Sequence, residues 1–282
     1  MVQFSPSHSV GIGEFRVTFL ADGGGRVNPL ASFPASTAEG WERHPELLDQ
    51  GIFVTSIGGF VIETGDHKIV VDAGIGPQTV DFPGFGPFSG GRFLDSLEAT
   101  GVAPESVTQL VFTHLHLDHC GWVSQESEGR RQLIFPNARC RVTAAEWDFW
   151  YGGDNPAGPD PIQAQAPLAE RIETFQEGDA IVPGLTVLET PGHSPGHISL
   201  LLESQGERLY LLGDLIHSSA QLAEPDWSIA FDVDAAAARK SRERLLDLAE
   251  RSGDMVAANH FPDQVFGRIL RQGGQRLWAP LD

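Results

Sequence analysis

Short apolar runs separated by turn residues dominate the middle of this chain. Their lengths and patterning predict strands at Phe53 to Glu63, Lys68 to Asp72, Gln109 to Thr113, Leu185 to Glu189, Ile198 to Glu203, Arg208 to Leu212 and Met255 to Ala258. Helices are predicted between them at Arg92 to Thr100, stopped by Gly101, and at Ala144 to Tyr151, stopped by Gly152-Gly153. A third, Asp234 to Arg251, opens on an N-cap aspartate and stops at Ser252-Gly253. In it Arg242, Leu245, Leu246 and Ala249 recur at i, i+3, i+4 and i+7, so Leu245 and Leu246 define the buried stripe, with Arg242 at its edge, and the helix is expected to pack on a sheet. The alternation runs without a long Pro/Ser linker, low-complexity tract or internal repeat, which predicts a single α/β domain over residues 1–282. The polar stretch from Asp22 to Gln50, with Gly23-Gly24-Gly25 and Trp41, is longer than an ordinary connection. It reads as a lid, an arm to a second subunit or a surface excursion, and keeps a homodimer open.

The candidate chemistry sits where apolar runs end. Directly after Leu110-Val111-Phe112, residues 114–119 hold His114, His116, Asp118 and His119. Neutral imidazole and carboxylate together suit a divalent, zinc-like ion. If the segment leaves a strand and turns, His114 and His116 point the same way, while Asp118 and His119 fall on the turn and face a neighbouring position. The cluster therefore predicts two metals side by side. Without metal, so many buried imidazoles and carboxylates would be costly. His8, His44 and His67, each alone at a strand end or in a loop, read as ordinary polar residues.

This spacing resembles the HxHxDH signature of the metallo-β-lactamase superfamily, and three later motifs extend the resemblance: Pro191-Gly192-His193, Gly213-Asp214 and Asn259-His260, each closing a strand-like run. The resemblance spans about Phe53 to His260. It implies a four-layer αββα sandwich in which strand-end loops from both halves meet along one edge. Residue by residue it implies one metal on His114, His116 and His193, a second on Asp118, His119 and His260, and Asp214 bridging both with room for a shared hydroxide. Two divalent ions are thus the expected cofactors, zinc foremost. Asp72, ending Lys68-Ile69-Val70-Val71 before Ala73-Gly74, resembles the family's early aspartate that hydrogen-bonds near the metal histidines, and is expected to orient one of them. His197, four residues past His193, reads as a turn anchor, and Cys120 as a small buried residue.

Composition narrows the function. A core-forming 41% hydrophobic content comes with no apolar stretch long enough to span a bilayer and with only two cysteines, at 120 and 140. The opening Met1-Val2-Gln3-Phe4-Ser5-Pro6 lacks a secretory pattern, so a cytoplasmic location is expected. The formal charge of −19 repels nucleic acid and acidic membrane surfaces. A small neutral substrate is the expected partner, with no nucleic acid and no membrane. A hydroxide shared by two dications would attack an ester, lactone or phosphotriester, with Asp118 or His217 passing the proton. The related acyl-homoserine lactonases carry Tyr at the offset of His217. The stretches 213–217, 229–234 and 257–262 instead resemble the methyl-parathion-hydrolase branch. Phe85 and Trp122 are expected to wall an apolar pocket. Two alternatives stay open: a persulfide-dioxygenase-like oxidoreductase of the same fold, against which the retained Asp118 and His119 argue, and a non-catalytic metal-stabilised binding protein.

Overall fold

The computed structural model describes residues 2–127 and 129–281 and resolves the apolar runs into two large sheets and one hairpin. In the 10-stranded sheet the central order runs Arg139–Thr143, Gln109–Val111, His67–Val71, Ile52–Thr64, Phe15–Val27. The 7-stranded sheet runs Ala180–Val182, Leu185–Glu189, Ile198–Ser204, Glu207–Leu211, Met255–Ala257, Phe266–Gln272, Gln275–Pro280. The seven predicted strands all lie in these sheets, with ends shifted by one or two residues.

Period-two alternation sorts each strand between two cores. Phe60, Ile62, Ile69, Val71 and Val111 join Leu200, Leu209, Leu211 and Ala257 in the cluster between the sheets. Their alternate neighbours Val61, Val70, Leu110 and Phe112 face Phe93, Leu97 and Trp150 of the helices Phe93–Ala99 and Ala144–Trp150. On the far side Tyr210, Leu212 and Val256 meet Leu245, Leu246 and Ala249 of the helix Ala235–Ser252. Helix, sheet, sheet, helix is the four-layer order. Asp234 caps the last helix by accepting from the backbone N–H of Ala236 and Ala237, and Gly253 ends it at φ 70°. Among the described residues no helix is long and apolar enough to cross a membrane.

Two expectations change. Arg242 is not at the stripe's edge but buried, because the segment before the helix folds over it and its guanidinium donates to the carbonyl of Pro225 at 3.0 Å. The stretch 22–50 is not a projecting arm. Asp22 to Val27 finishes the strand Phe15–Val27, and the three glycines read as a loop only because they carry no side chains: a Cβ on Gly23 would lie 1.9 Å from the carbonyl oxygen of Ser89. The remainder is pinned by buried Phe33, Trp41 and Leu47, which pack with Phe53 and Trp227.

Candidate metal centre

Strand ends from both sheets deliver the ligand candidates to one place. The chain leaves Gln109–Val111 extended, so Leu115 enters the outer core while His114 and His116 turn together to the opposite side. Asp72 fixes this exit: it accepts from the backbone N–H of Thr113 at 2.8 Å and from its hydroxyl at 2.8 Å. The two halves are stitched where they meet, with the N–H of Ile198 donating to the carbonyl of Thr113 at 2.9 Å. Gly213, at φ 56°, lets Asp214 pass beneath His197, since a Cβ there would sit 2.8 Å from the imidazole Nε2.

Three overlapping groups of candidate ligands result: His114, His116, His193 and Asp214; Asp118, His119 and His260; and Asp214, His217 and His260. The first two are the sets expected from the sequence, with Asp214 beside both. His114 Nε2 and His193 Nε2 lie 2.9 and 2.8 Å from His116 Nδ1. Asp214 Oδ2 is 3.3 Å from His193 Nε2 and 3.0 Å from His260 Nε2, while its Oδ1 is 3.2 Å from His119 Nε2. Asp118 stands at the outer side, 3.8 Å from both His119 Nε2 and His260 Nε2. All the sequence-derived ligand candidates are therefore brought together, and all but Asp118 are buried.

The donor set fits cations. Lone pairs of three converging imidazole nitrogens repel unless a proton or a metal lies between them. His119 Nε2 and Asp214 Oδ1 are buried without a hydrogen-bond partner, an arrangement that leaves polar groups unsatisfied unless something else binds them. Three of the outer nitrogens are already committed: His193 Nδ1 lies 2.9 Å from Asp232 Oδ1, His260 Nδ1 2.7 Å from the carbonyl of Ser56, and His114 Nδ1 3.1 Å from the Thr113 hydroxyl, while His119 Nδ1 stands 3.0 Å from Asp72 Oδ2 as an ion pair outside hydrogen-bond geometry. Such partners fix the tautomer and leave Nε2 free to bind metal.

Electrostatics divide the imidazoles: His114 and His116 are lowered, whereas His119, His193 and His260 are raised, so a cation bound there would displace protons. Burial, then neighbouring imidazoles, holds His114 and His116 well below the usual histidine range, so both are neutral ligands. Burial also lowers His193, but hydrogen bonds to Asp214 and Asp232 overcome it and raise the group to about 9. Burial opposes the charge on Asp214, yet His119 and His260 drive its carboxyl well below the ordinary carboxylate range. The carboxylate thus favours its charged form amid imidazoles, a charge that could offset a bound cation.

His217 and His197 touch Asp214 from two sides. His217 Nε2 lies 3.1 Å from Asp214 Oδ2, its ring stacks on His260 at 5.1 Å and 8°, and burial holds it down at about 4. His197 is a turn anchor: its Nε2 accepts the Asp214 N–H at 2.9 Å and its Nδ1 meets the carbonyl of Thr190 at 3.1 Å. The Cys120 thiol is buried and donates to the carbonyl of His116 at 3.2 Å.

Beside the centre opens a cavity reached by His116, Asp118, His193, Asp214, His217 and His260. Its apolar wall includes Phe82, Phe88, Ile229 and Phe231. Phe85 and Trp122 do not line it. Phe85 stands behind Phe231, with ring centroids 5.1 Å apart, and Trp122 is drawn into the core by donating its indole N–H to Asp22 at 3.1 Å. Sequence reasoning did not single out three carboxylates, Asp22, Glu146 and Asp232, although the last lies in the stretch 229–234 that carries part of the resemblance. Replacing Asp72 with alanine is expected to weaken metal binding by about 10–100-fold, as loss of a ligand's outer partner typically does. Competition with a chromophoric chelator measures it, and an unchanged affinity would remove Asp72 from this role.

Comparison with known proteins follows the same lines. A family profile described as the Metallo-beta-lactamase superfamily matches residues 59–260. An N-acyl homoserine lactonase of Bacillus sp is 28% identical over 236 residues, covering 79% of this chain and 86% of the relative. One from Bacillus cereus is 27% identical over 222 residues, covering 74% and 82%. A crystal structure of the hydrolase AbOPH, in the beta lactamase superfamily, matches at a TM-score of 0.84 with 27% identity over 99% of both chains. AidC, a dizinc quorum-quenching lactonase, matches at 0.85 with 22% identity over 99% of both, a likeness of fold.

Proposed function

The chain belongs to the metallo-beta-lactamase superfamily, and from that premise we propose that it is a dinuclear metal-dependent hydrolase of neutral lactones, esters or phosphotriesters. The observation that carries the reading is the pair of His/Asp groups sharing Asp214 at the side of an apolar cavity. Two divalent ions, zinc foremost, held by His114, His116 and His193 and by Asp118, His119 and His260, would supply a water ionised near neutral pH and polarise the bond under attack.

The chain's own residues do the rest. Asp214 holds its charge between the two groups, and His217 and His197 fix its orientation from either side. His217 Nε2 is committed to Asp214, whereas Asp118 lines the cavity with 19% of its side chain exposed. Relay of a proton from the attacking water to the leaving oxygen is therefore assigned to the Asp118 carboxylate, and orientation of Asp214 to His217. Phe82, Phe88 and Phe231 take up the apolar part of the substrate and exclude water from the reacting bond. None of the described residues lining the cavity is lysine or arginine, which supports a neutral substrate.

Purified protein assayed against a homoserine lactone, an aryl ester, a phosphotriester, a β-lactam and a thioester, with metal content measured in the same samples, tests this. Turnover of a lactone, aryl ester or phosphotriester that rises with bound metal and is lost on chelation is expected. Metal-loaded protein inert to every member would overturn the proposal in favour of a binding role, and full activity without metal would overturn the mechanism.

A further inference from the structure

Glu146 is a carboxylate with no access to solvent, on a helix that contributes no ligand candidate. Its Oε1 accepts from the backbone N–H of Leu115 at 2.9 Å and from the indole N–H of Trp150 at 2.6 Å; its Oε2 accepts from the hydroxyl of Ser194 at 2.6 Å and the backbone N–H of Gly196 at 3.0 Å. The choice of donors is telling. Leu115 lies between His114 and His116, Ser194 follows His193, and Trp150 packs against His116 with ring centroids 5.2 Å apart. Gly196 is pressed onto the same helix end, where a Cβ would lie 2.2 Å from the N–H of Glu146, and its carbonyl accepts from the Thr143 hydroxyl at 2.7 Å. One buried side chain thus ties the loop of the first sheet carrying His114 and His116 to the turn of the second carrying His193.

The other group is held by different means. His119 is approached by Asp72 and its carbonyl accepts from the N–H of Ala73 at 2.7 Å, while the carbonyl of Ser56 accepts from His260 Nδ1 and the Thr55 hydroxyl donates to the His260 carbonyl at 3.1 Å. None of Glu146's four hydrogen bonds reaches a residue adjoining Asp118, His119 or His260.

We propose that Glu146 is a positioning residue that sets metal affinity at the His114, His116 and His193 site and leaves the Asp118, His119 and His260 site alone. The inference rests on the two-site reading above. Exchange for glutamine keeps size and shape, but whichever way the amide turns, its NH2 faces two donors, so the loop and the turn lose half of their shared acceptor.

The test reads zinc affinity by chelator competition in two backgrounds, His260→Ala, which keeps the first site, and His193→Ala, which keeps the second. Adding Glu146→Gln is expected to weaken zinc binding by about 10–100-fold in the first background and by less than about two-fold in the second. Equal weakening in both, or none in the first, would overturn the inference. Retained second-site affinity serves as the control for folding. If Glu146→Gln does not fold, Ser194→Ala removes a single donor, and it should weaken the first site alone by a smaller factor; no change there would also overturn the inference. Two tight sites in both the parent and the Glu146→Gln protein would sink this inference alone, whereas a parent without tight zinc binding would sink the metal reading and this inference with it.

Discussion

Replacing Asp214 with alanine is expected to cost the protein its paired metals and to lower hydrolysis by well over the roughly 100-fold that loss of an outer partner costs. The carboxylate is the meeting point of both groups. Oδ2 lies within 3.3 Å of His193 Nε2, 3.0 Å of His260 Nε2 and 3.1 Å of His217 Nε2, and Oδ1 lies 3.2 Å from His119 Nε2. Removal leaves imidazoles facing one another with no anion to offset bound cations, so each site loses a ligand and the two lose their common charge. Asp214→Asn separates charge from shape: it keeps the outline and one acceptor, and is expected to fall between the parent and the alanine protein. Elemental analysis and initial rates on the same preparations decide the matter. Two equivalents of metal and parental rates in Asp214→Ala would remove the bridge from the mechanism.

A second large effect is expected far from the reacting atoms. Asp22 is buried, and its carboxylate accepts from the backbone N–H groups of Ile75, Gly76, Gly91, Arg92 and Phe93 as well as from the Trp122 indole. Gly74 and Gly90 make room for it, since a Cβ on either would lie 2.4 or 2.5 Å from Asp22 Oδ2. Alanine here strands six donors in a place too tight for easy rehydration. With about 1–3 kcal/mol for each buried group left unmade, and partial relaxation, a loss of roughly 4 kcal/mol is expected. That corresponds to a fall in melting temperature on the order of 10 °C. Calorimetry on chelator-treated protein measures it free of metal effects. A fall of only a degree or so would mean that these donors find other acceptors.

What the sequence revealed and what it hid have physical causes. Strands such as Lys68 to Asp72 or Arg208 to Leu212 were legible because both of their faces are buried, so they appear as continuous apolar runs. The hairpin Phe266–Gln272 and Gln275–Pro280 escaped notice, because Arg268, Arg271 and Arg276 interrupt it, although Gly273-Gly274 is a hairpin turn signal. The strand Phe15–Val27 was hidden by glycines that packing requires. The ligand candidates were legible because each stands within a short motif at the end of an apolar run. Asp22, Glu146 and Asp232 were not, for their partners are backbone groups and side chains from distant segments, and no local spacing encodes that. The mistaken placing of Phe85 and Trp122 has a related origin: an aromatic's place in a loop or beside the cluster says nothing of what it packs against, and Phe85 goes behind Phe231 while Trp122 goes to Asp22.

The strand Met255–Ala257, which delivers His260, lies between Glu207–Leu211 and Phe266–Gln272, parallel to one and antiparallel to the other. An inner strand so late in the chain gives the protein a built-in order of maturation. During synthesis the quartet at 114–119 emerges early and waits, with His193 and Asp214 joining it before the final imidazole exists. At that stage the donors of the first group, His114, His116, His193 and Asp214, have all been made, whereas the second still lacks His260. The second group can be completed only in the closing step of folding, once the last inner strand has been seated.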